Sequence, residues 1–325
     1  MGRAGTIPPT PPGWEDAPQR LVRLVDPSGE AAAWVVGDLG ANCIAYAVRR
    51  PDGWVQVLDP GTPGALAGRP TRFGCPVLFP FPGHARGARY RWGGVERALP
   101  PNGAGSGDYT HGFAPRLPWR VEGASPDAIA CEFLTTRDLP GGTEAAGYPF
   151  AVRLRLAVRL ADRALTIALT ATNEDTRAAP LGLGLHPYIA IAALGGVRAA
   201  VRAELPGHAE HRLAGPIPTG ERLAVAGREV GLPPLGETLL VPRTDLGPRP
   251  EAILRGQADG PRVRLACIEG VRDLLLFAPP TENSVSLEPL ATAPGAASQP
   301  EGHPDGLLAL APGATHRLIV TISAE

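Results

Sequence analysis

The chain has 325 residues, with 31 basic and 32 acidic side chains, a formal net charge of -1 and 44% hydrophobic residues. That length suits one large β-domain or two ordinary domains with a sizeable core. The balanced charge removes the electrostatic case for nucleic acid or an anionic membrane surface, both of which need clustered Lys and Arg. No apolar stretch approaches the roughly 20 residues of a membrane span. The Pro-rich run from Met1 to Gly13 has no apolar segment of the signal-peptide type, so a soluble cytoplasmic protein is expected. Cys43, Cys75, Cys131 and Cys267 are far apart and fit no C-x-x-C spacing, which predicts buried free thiols.

Strand signals dominate in chain order. Arg20 to Val25 and Ala32 to Val36 flank an Asp26-Pro-Ser-Gly29 turn. Asn42 to Val48 and Trp54 to Leu58 flank Arg50-Pro-Asp-Gly53, where proline fixes φ, aspartate bonds locally and glycine is permissive. A short helical turn is expected over Gly64 to Ala67. The clearest hairpin is Phe150 to Leu160, with even positions apolar, returning through Ala161-Asp162-Arg163 into Ala164 to Ala171. Arg153, Arg155 and Arg159 fall on its polar face and read as solvated charge. Another helical turn is placed near Pro187 to Leu194. Later strands are expected at Arg198 to Ala203, Val263 to Glu269, Asp273 to Phe277, Ser284 to Leu287 and His316 to Ile322. The pattern predicts an all-β sandwich forming a single large domain with few short helices, spanning residues 20–325. Residues 1–19 read as a loosely ordered Pro-rich segment.

Few residues suggest chemistry. His186 ends Leu181-Gly-Leu-Gly-Leu-His186, where glycines permit close approach of other backbone or a ligand, and Pro187 then ends the strand. Its imidazole has an ordinary pKa of about 6.5 and can donate a proton near neutrality. Glu288 follows the alternating Ser284-Val-Ser-Leu287 and precedes Pro289. Burial would raise its carboxyl toward a usable general base. His111 follows a glycine-rich loop, a common place for binding groups. No H-x-H or H-E-x-x-H spacing supports a metal site.

Taken in order, several segments resemble the aldose 1-epimerase (galactose mutarotase) family. Gly74-Cys-Pro-Val-Leu-Phe-Pro80 is similar to its early strand, and Tyr90-Arg-Trp-Gly-Gly94 to the hairpin that follows. His111-Gly112-Phe113-Ala114, followed by Pro118-Trp119, resembles its His-Gly-Phe motif. Asn173, His186-Pro187-Tyr188, Pro218-Thr-Gly-Glu221, Phe277-Ala-Pro-Pro280, Leu287-Glu288-Pro289 and Ala293-Pro294 resemble the later blocks. Each is weak alone; their shared order is specific.

The resemblance implies a β-supersandwich and a cofactor-independent isomerase without a metal. His186 would protonate the ring oxygen, and Glu288 would take the proton of the C1 hydroxyl. Ring opening, rotation about C1–C2 and reclosure would exchange the anomers. His111 would bind a sugar hydroxyl or share the ring-oxygen work, and Tyr188 would line the cleft. Trp119 is a further cleft candidate, with packing its expected role. The family's sugar-binding Arg corresponds to His84, with Arg86 or Arg89 nearby, and its sugar-gripping Asp is best matched by Asp245. The implied partner is a small sugar, with neither nucleic acid nor membrane, and the protein is expected as a monomer or homodimer. A hexose-6-phosphate 1-epimerase of the same family, or a non-catalytic sugar binder or sensor on the same fold, are the alternatives.

Overall fold

The computed structural model describes residues 8–17, 20–102, 107–205, 209–214, 217–224, 229–242, 251–257, 260–281 and 283–325. Among these residues, strands account for most of the regular structure and the helices are single short turns. The backbone of the fold is a nine-stranded antiparallel sheet. Within it the predicted hairpin forms, Val152–Ala161 paired residue for residue with Ala164–Asn173. Val152, Leu154, Leu156, Val158 and Leu160 are buried, as period-two alternation requires. The turn places Asp162 and Arg163 at positive φ, 53° and 61°, the conformation that a two-residue hairpin connection demands. The arginines on the outer face are ion-paired: Arg153 with Glu132 and Glu174, Arg155 with Glu122, Arg159 with Asp127. The exposed pairs of Arg155 and Arg159 contribute little stability.

A six-stranded sheet packs against the large one. Its order is Thr238–Pro242, Asp273–Phe277, Ser284–Leu290, Gly184–Leu185 and Val77–Leu78, with Tyr188–Ala190 also pairing Ser284–Leu290. One continuous apolar core joins the two layers. It contains Leu154, Leu156, Leu169 and Val320 from the large sheet and Val77, Leu185, Leu274, Leu276, Val285 and Leu287 from the smaller one. Each such aliphatic side chain contributes roughly 1.5–3 kcal/mol on burial. The opposite face of the smaller sheet carries a separate apolar patch of Leu78, Leu240, Leu275 and Leu290. That outer face is where the polar residues discussed below reside.

The N-terminal hairpins appear as Leu21–Val25 with Ala31–Val36, and Asn42–Arg50 with Gly53–Gln56, joined in a four-stranded sheet. The Pro-rich segment, expected to be loosely ordered, is anchored over its described part. Trp14 is fully buried against Trp34, Ile44 and Leu66, and its indole N–H donates to the Pro60 carbonyl at 3.4 Å. A large aromatic can hold a short segment through its buried area alone. Pro63–Gly68 forms the expected helical turn, capped by Thr62. Two boundaries differ from expectation. Arg198–Ala200 is a 3-10 turn and the strand begins at Arg202. Beyond Pro187 the chain first makes the strand Tyr188–Ala190, and only Ile191–Leu194 is a 3-10 turn. The four cysteines are buried and none of them forms a disulfide.

Candidate active site

Pairing in the smaller sheet brings together residues about a hundred positions apart. Gly184 lies opposite Leu290, and Tyr188 lies opposite Ser286. The two pairings share one register, so His186 stands opposite Glu288. Side chains alternate along a strand, so His186, Tyr188, Ser286 and Glu288 all project from the same outer face. Glu288 in turn faces Leu275, and Ser286 faces Phe277, on the next strand. The Phe277 ring meets that of His186 edge-on at 6.0 Å. On the other side the His186 and Tyr188 amides donate to Pro76 and Gly74 carbonyls at 3.0 and 2.8 Å. Gly182 permits this close assembly: a Cβ there would lie 2.4 Å from the Pro80 carbonyl oxygen. Gly182 therefore serves backbone approach, while a Cβ on Gly184 would meet the Leu290 side chain at 2.5 Å.

His186 and Glu288 are 2% and 4% exposed, respectively. The His186 Nε2 lies 3.2 Å from Glu288 Oε1 and 3.1 Å from the Tyr188 hydroxyl. Its Nδ1 lies 2.7 Å from Ser286 Oγ. Tyr188 stacks on the imidazole at 4.4 Å and 10°, and its hydroxyl donates to the Thr71 carbonyl at 2.9 Å. Burial dominates the electrostatics. It pushes the Glu288 carboxyl well above the usual carboxylate range. It pushes His186 well below the ordinary imidazole value, reinforced by nearby His111 and Arg72. Both shifts disfavour charge, so burial favours a neutral carboxyl beside a neutral imidazole.

His111 arrives from a separate loop. Its ring meets His186 edge-on at 5.3 Å. Both His111 and Gly112 occupy left-handed backbone, at φ 60° and 77°. A Cβ on Gly112 would fall 1.8 Å from the Phe79 carbonyl oxygen, so only glycine fits and His111 is fixed by its neighbour. Burial, together with nearby His84 and Arg116, lowers the His111 pKa to about 3. The Gly83 amide donates to His111 Nδ1 at 3.3 Å. A neutral ring that accepts at Nδ1 carries its proton on Nε2, making His111 a hydrogen-bond donor.

The remaining expected residues divide. His84 is half-buried near His111, with its Nδ1 3.5 Å from Asp108. Arg86 is exposed; its backbone amide donates to Ser298 Oγ, and its side chain lines a separate open cavity of about 600 Å³ with Arg89 and Arg91. Trp119 is buried in the core and bonds the Ala114 carbonyl. Asn173 bonds the Arg177 and Leu310 carbonyls, a structural role. Asp245 lies outside the described residues.

Two residues escaped the sequence reading. Ser286 differs from any other strand serine only by its position two residues before Glu288. Arg72 had no distinguishing pattern, yet its guanidinium sits 4.9 Å over the Tyr188 ring and donates to Thr281 Oγ1 at 2.7 Å. Its Nη1 is buried without a hydrogen-bond partner among the described residues. No group of three or more His, Cys, Asp or Glu among these residues could hold a metal ion.

The family model for aldose 1-epimerase matches residues 25–322. The chain belongs to the aldose 1-epimerase family. Among solved structures, a galactose mutarotase-like protein from Clostridium acetobutylicum superposes with a TM-score of 0.78 at 18% identity, covering 91% of this chain and 93% of that one. A GalM/aldose epimerase homologue from C. elegans gives a TM-score of 0.77 at 15% identity, covering 94% and 98%. At these identities the likeness establishes the galactose mutarotase-like fold. Two Escherichia coli proteins match in part: YphB at 29% identity over 126 residues and YihR at 32% over 114 residues. The matches span only 40% and 35% of those relatives. No helix among the described residues is long and apolar enough to cross a membrane.

Proposed function

We propose that this epimerase-family chain interconverts the α and β anomers of an aldose. The observation that carries the reading is the buried contact of His186 Nε2 with Glu288 Oε1 at 3.2 Å. The pair holds one mobile proton, which can sit on either member. With the carboxyl ionised and the imidazole protonated, Glu288 takes the C1 hydroxyl proton while His186 protonates the ring oxygen. The C1–ring oxygen bond breaks and the aldehyde forms. That step leaves a neutral carboxylic acid and a neutral imidazole, the form that burial favours in the free protein. After rotation about C1–C2 the ring hydroxyl attacks the other carbonyl face. Glu288 returns its proton to the carbonyl oxygen and His186 recovers one from the ring hydroxyl. No proton is gained or lost over the cycle.

His111 fits a different task. With its proton on Nε2 and a pKa of about 3, it offers a hydrogen bond to a sugar oxygen and leaves proton transfer to His186. Tyr188 holds the imidazole plane by stacking.

The test is the optical rotation of freshly dissolved α-D-glucose and α-D-galactose, with wild type beside Glu288→Gln. Acceleration by wild type that the variant loses supports the reading. Binding without acceleration of any sugar would instead make the chain a sugar sensor. A phosphorylated hexose is the second reading; Arg86, Arg89 and Arg91 supply cations around one open cavity, shared there with Glu96. Arg86 lies only two residues beyond His84. Faster anomer exchange of glucose 6-phosphate than of glucose would select it.

A further inference from the structure

Ser286 is completely buried and directly opposite Tyr188 on the neighbouring strand. Its hydroxyl oxygen lies 2.7 Å from His186 Nδ1 and 2.9 Å from the Pro187 carbonyl oxygen. A hydroxyl has one proton to give. A carbonyl can only accept, so the Pro187 contact is satisfied only when the serine donates to it. The serine oxygen is then left to accept, and His186 Nδ1 must be the donor. The opposite assignment, serine donating to Nδ1, leaves two acceptor oxygens facing each other at 2.9 Å in a buried site, which costs free energy. At the other ring nitrogen Tyr188 gives its single proton to the Thr71 carbonyl, so the donor that meets the Nε2 lone pair is the Glu288 carboxyl, 3.2 Å away.

We propose that Ser286 is a positioning residue that fixes the proton of His186 on Nδ1, so that Nε2 alone exchanges a proton with Glu288 and substrate. The proposal deepens the anomer-exchange reading and rests on it for its catalytic consequence. The backbone carbonyl of Pro187 thereby sets the tautomer through the serine. A neutral imidazole held this way presents a lone pair at Nε2 to the Glu288 carboxyl at 3.2 Å. Were the tautomer reversed, Nε2 would carry a proton while Glu288 also held one. Nε2 could then neither take a proton from a sugar hydroxyl nor accept the one held by Glu288 at 3.2 Å. Orientation of a catalytic imidazole by a hydrogen bond at its second nitrogen is a general device.

The experiment is nitrogen-15 NMR of the histidine rings in the whole chain, with His186→Asn identifying the relevant signals. The expected result is a protonated Nδ1 on His186 in wild type and loss of that single state in Ser286→Ala. Ser286→Cys, with its weaker hydrogen-bonding group, should fall between them. With a turned-over sugar, Ser286→Ala should lower kcat by about ten- to a hundredfold with little change in KM. An unprotonated Nδ1 in wild type overturns the proposal. So does a folded Ser286→Ala with wild-type tautomer and kcat. If the alanine variant does not fold, the wild-type spectrum alone decides. If no sugar is turned over but Nδ1 is protonated, the tautomer assignment stands and the anomer-exchange reading falls.

Discussion

His186 and Glu288 stand opposite each other in one strand register, with Nε2 and Oε1 3.2 Å apart and both side chains almost wholly buried. Cross-strand neighbours of this kind have their Cβ atoms only about 5 Å apart, so the sheet itself holds the pair at contact distance. A loop-borne pair would require further packing to achieve the same precision.

Removal of the carboxyl tests function and stability together. Glu288→Gln should reduce anomer exchange by about 10² to 10⁴. It should also raise the melting temperature at neutral pH. Folding raises the Glu288 pKa, so above the unfolded carboxylate value the folded state retains a proton that the unfolded state releases. Stability consequently falls as pH rises from about 4.5, and the amide removes that cost. Polarimetry and thermal melts on one preparation check both halves.

His186→Asn should cost a comparable factor, and the double variant should cost little more than either alone. Groups that act as one unit are strongly non-additive. Multiplicative losses in the double variant would mean that the two residues act in separate steps.

The pH-rate profile should be bell-shaped, since turnover needs one proton shared by the pair. Both protonated and both deprotonated states are inactive, and the two limbs belong to the pair as a unit. The acid limb should lie well below the ordinary histidine value because burial holds His186 neutral. The basic limb should lie well above the ordinary carboxylate value. Stability follows a related course at the acid end. His186 and His111 have depressed folded pKa values, so the unfolded state binds more protons below about 6.5 and stability drops as pH falls. The His111 share continues down to its pKa of about 3. Denaturant melts across pH, with His111→Gln as comparison, read this directly.

His111→Ala should lower kcat/KM by only about three- to tenfold, the worth of one neutral hydrogen bond. A loss of a hundredfold or more would make His111 a proton donor in its own right.

Gly112→Ala should destabilise the fold by about 2 to 4 kcal/mol, since it combines a left-handed backbone with a clash against the Phe79 carbonyl. Chemical denaturation gives the value, and a wild-type midpoint would contradict the geometry.

Much of the fold was legible because its signals are local. The hairpin from Val152 to Asn173 announces itself through apolar alternation, and Asp273–Phe277 was bounded to the residue. The 3-10 turn at Arg198–Ala200 was read as strand, and the helical turn read near Pro187 to Leu194 is confined to Ile191–Leu194, since a few residues carry too little periodicity to separate turn from strand. Trp14 was assigned to a loose segment because its partners Trp34, Ile44 and Leu66 lie on other elements.

The sequence by itself determined which side chains share a face within each strand. His186 and Tyr188, and likewise Ser286 and Glu288, are two residues apart, and alternation makes them neighbours on one side. Only the tertiary structure decided that the two pairs meet. Register between strands about a hundred residues apart depends on the whole sheet and its buried face, and a slip of one residue would turn every side chain over. Burial was equally a tertiary matter. It changes an exposed acid and base into a neutral pair sharing a proton, and it sets Arg72, unremarkable in sequence, over the ring of Tyr188.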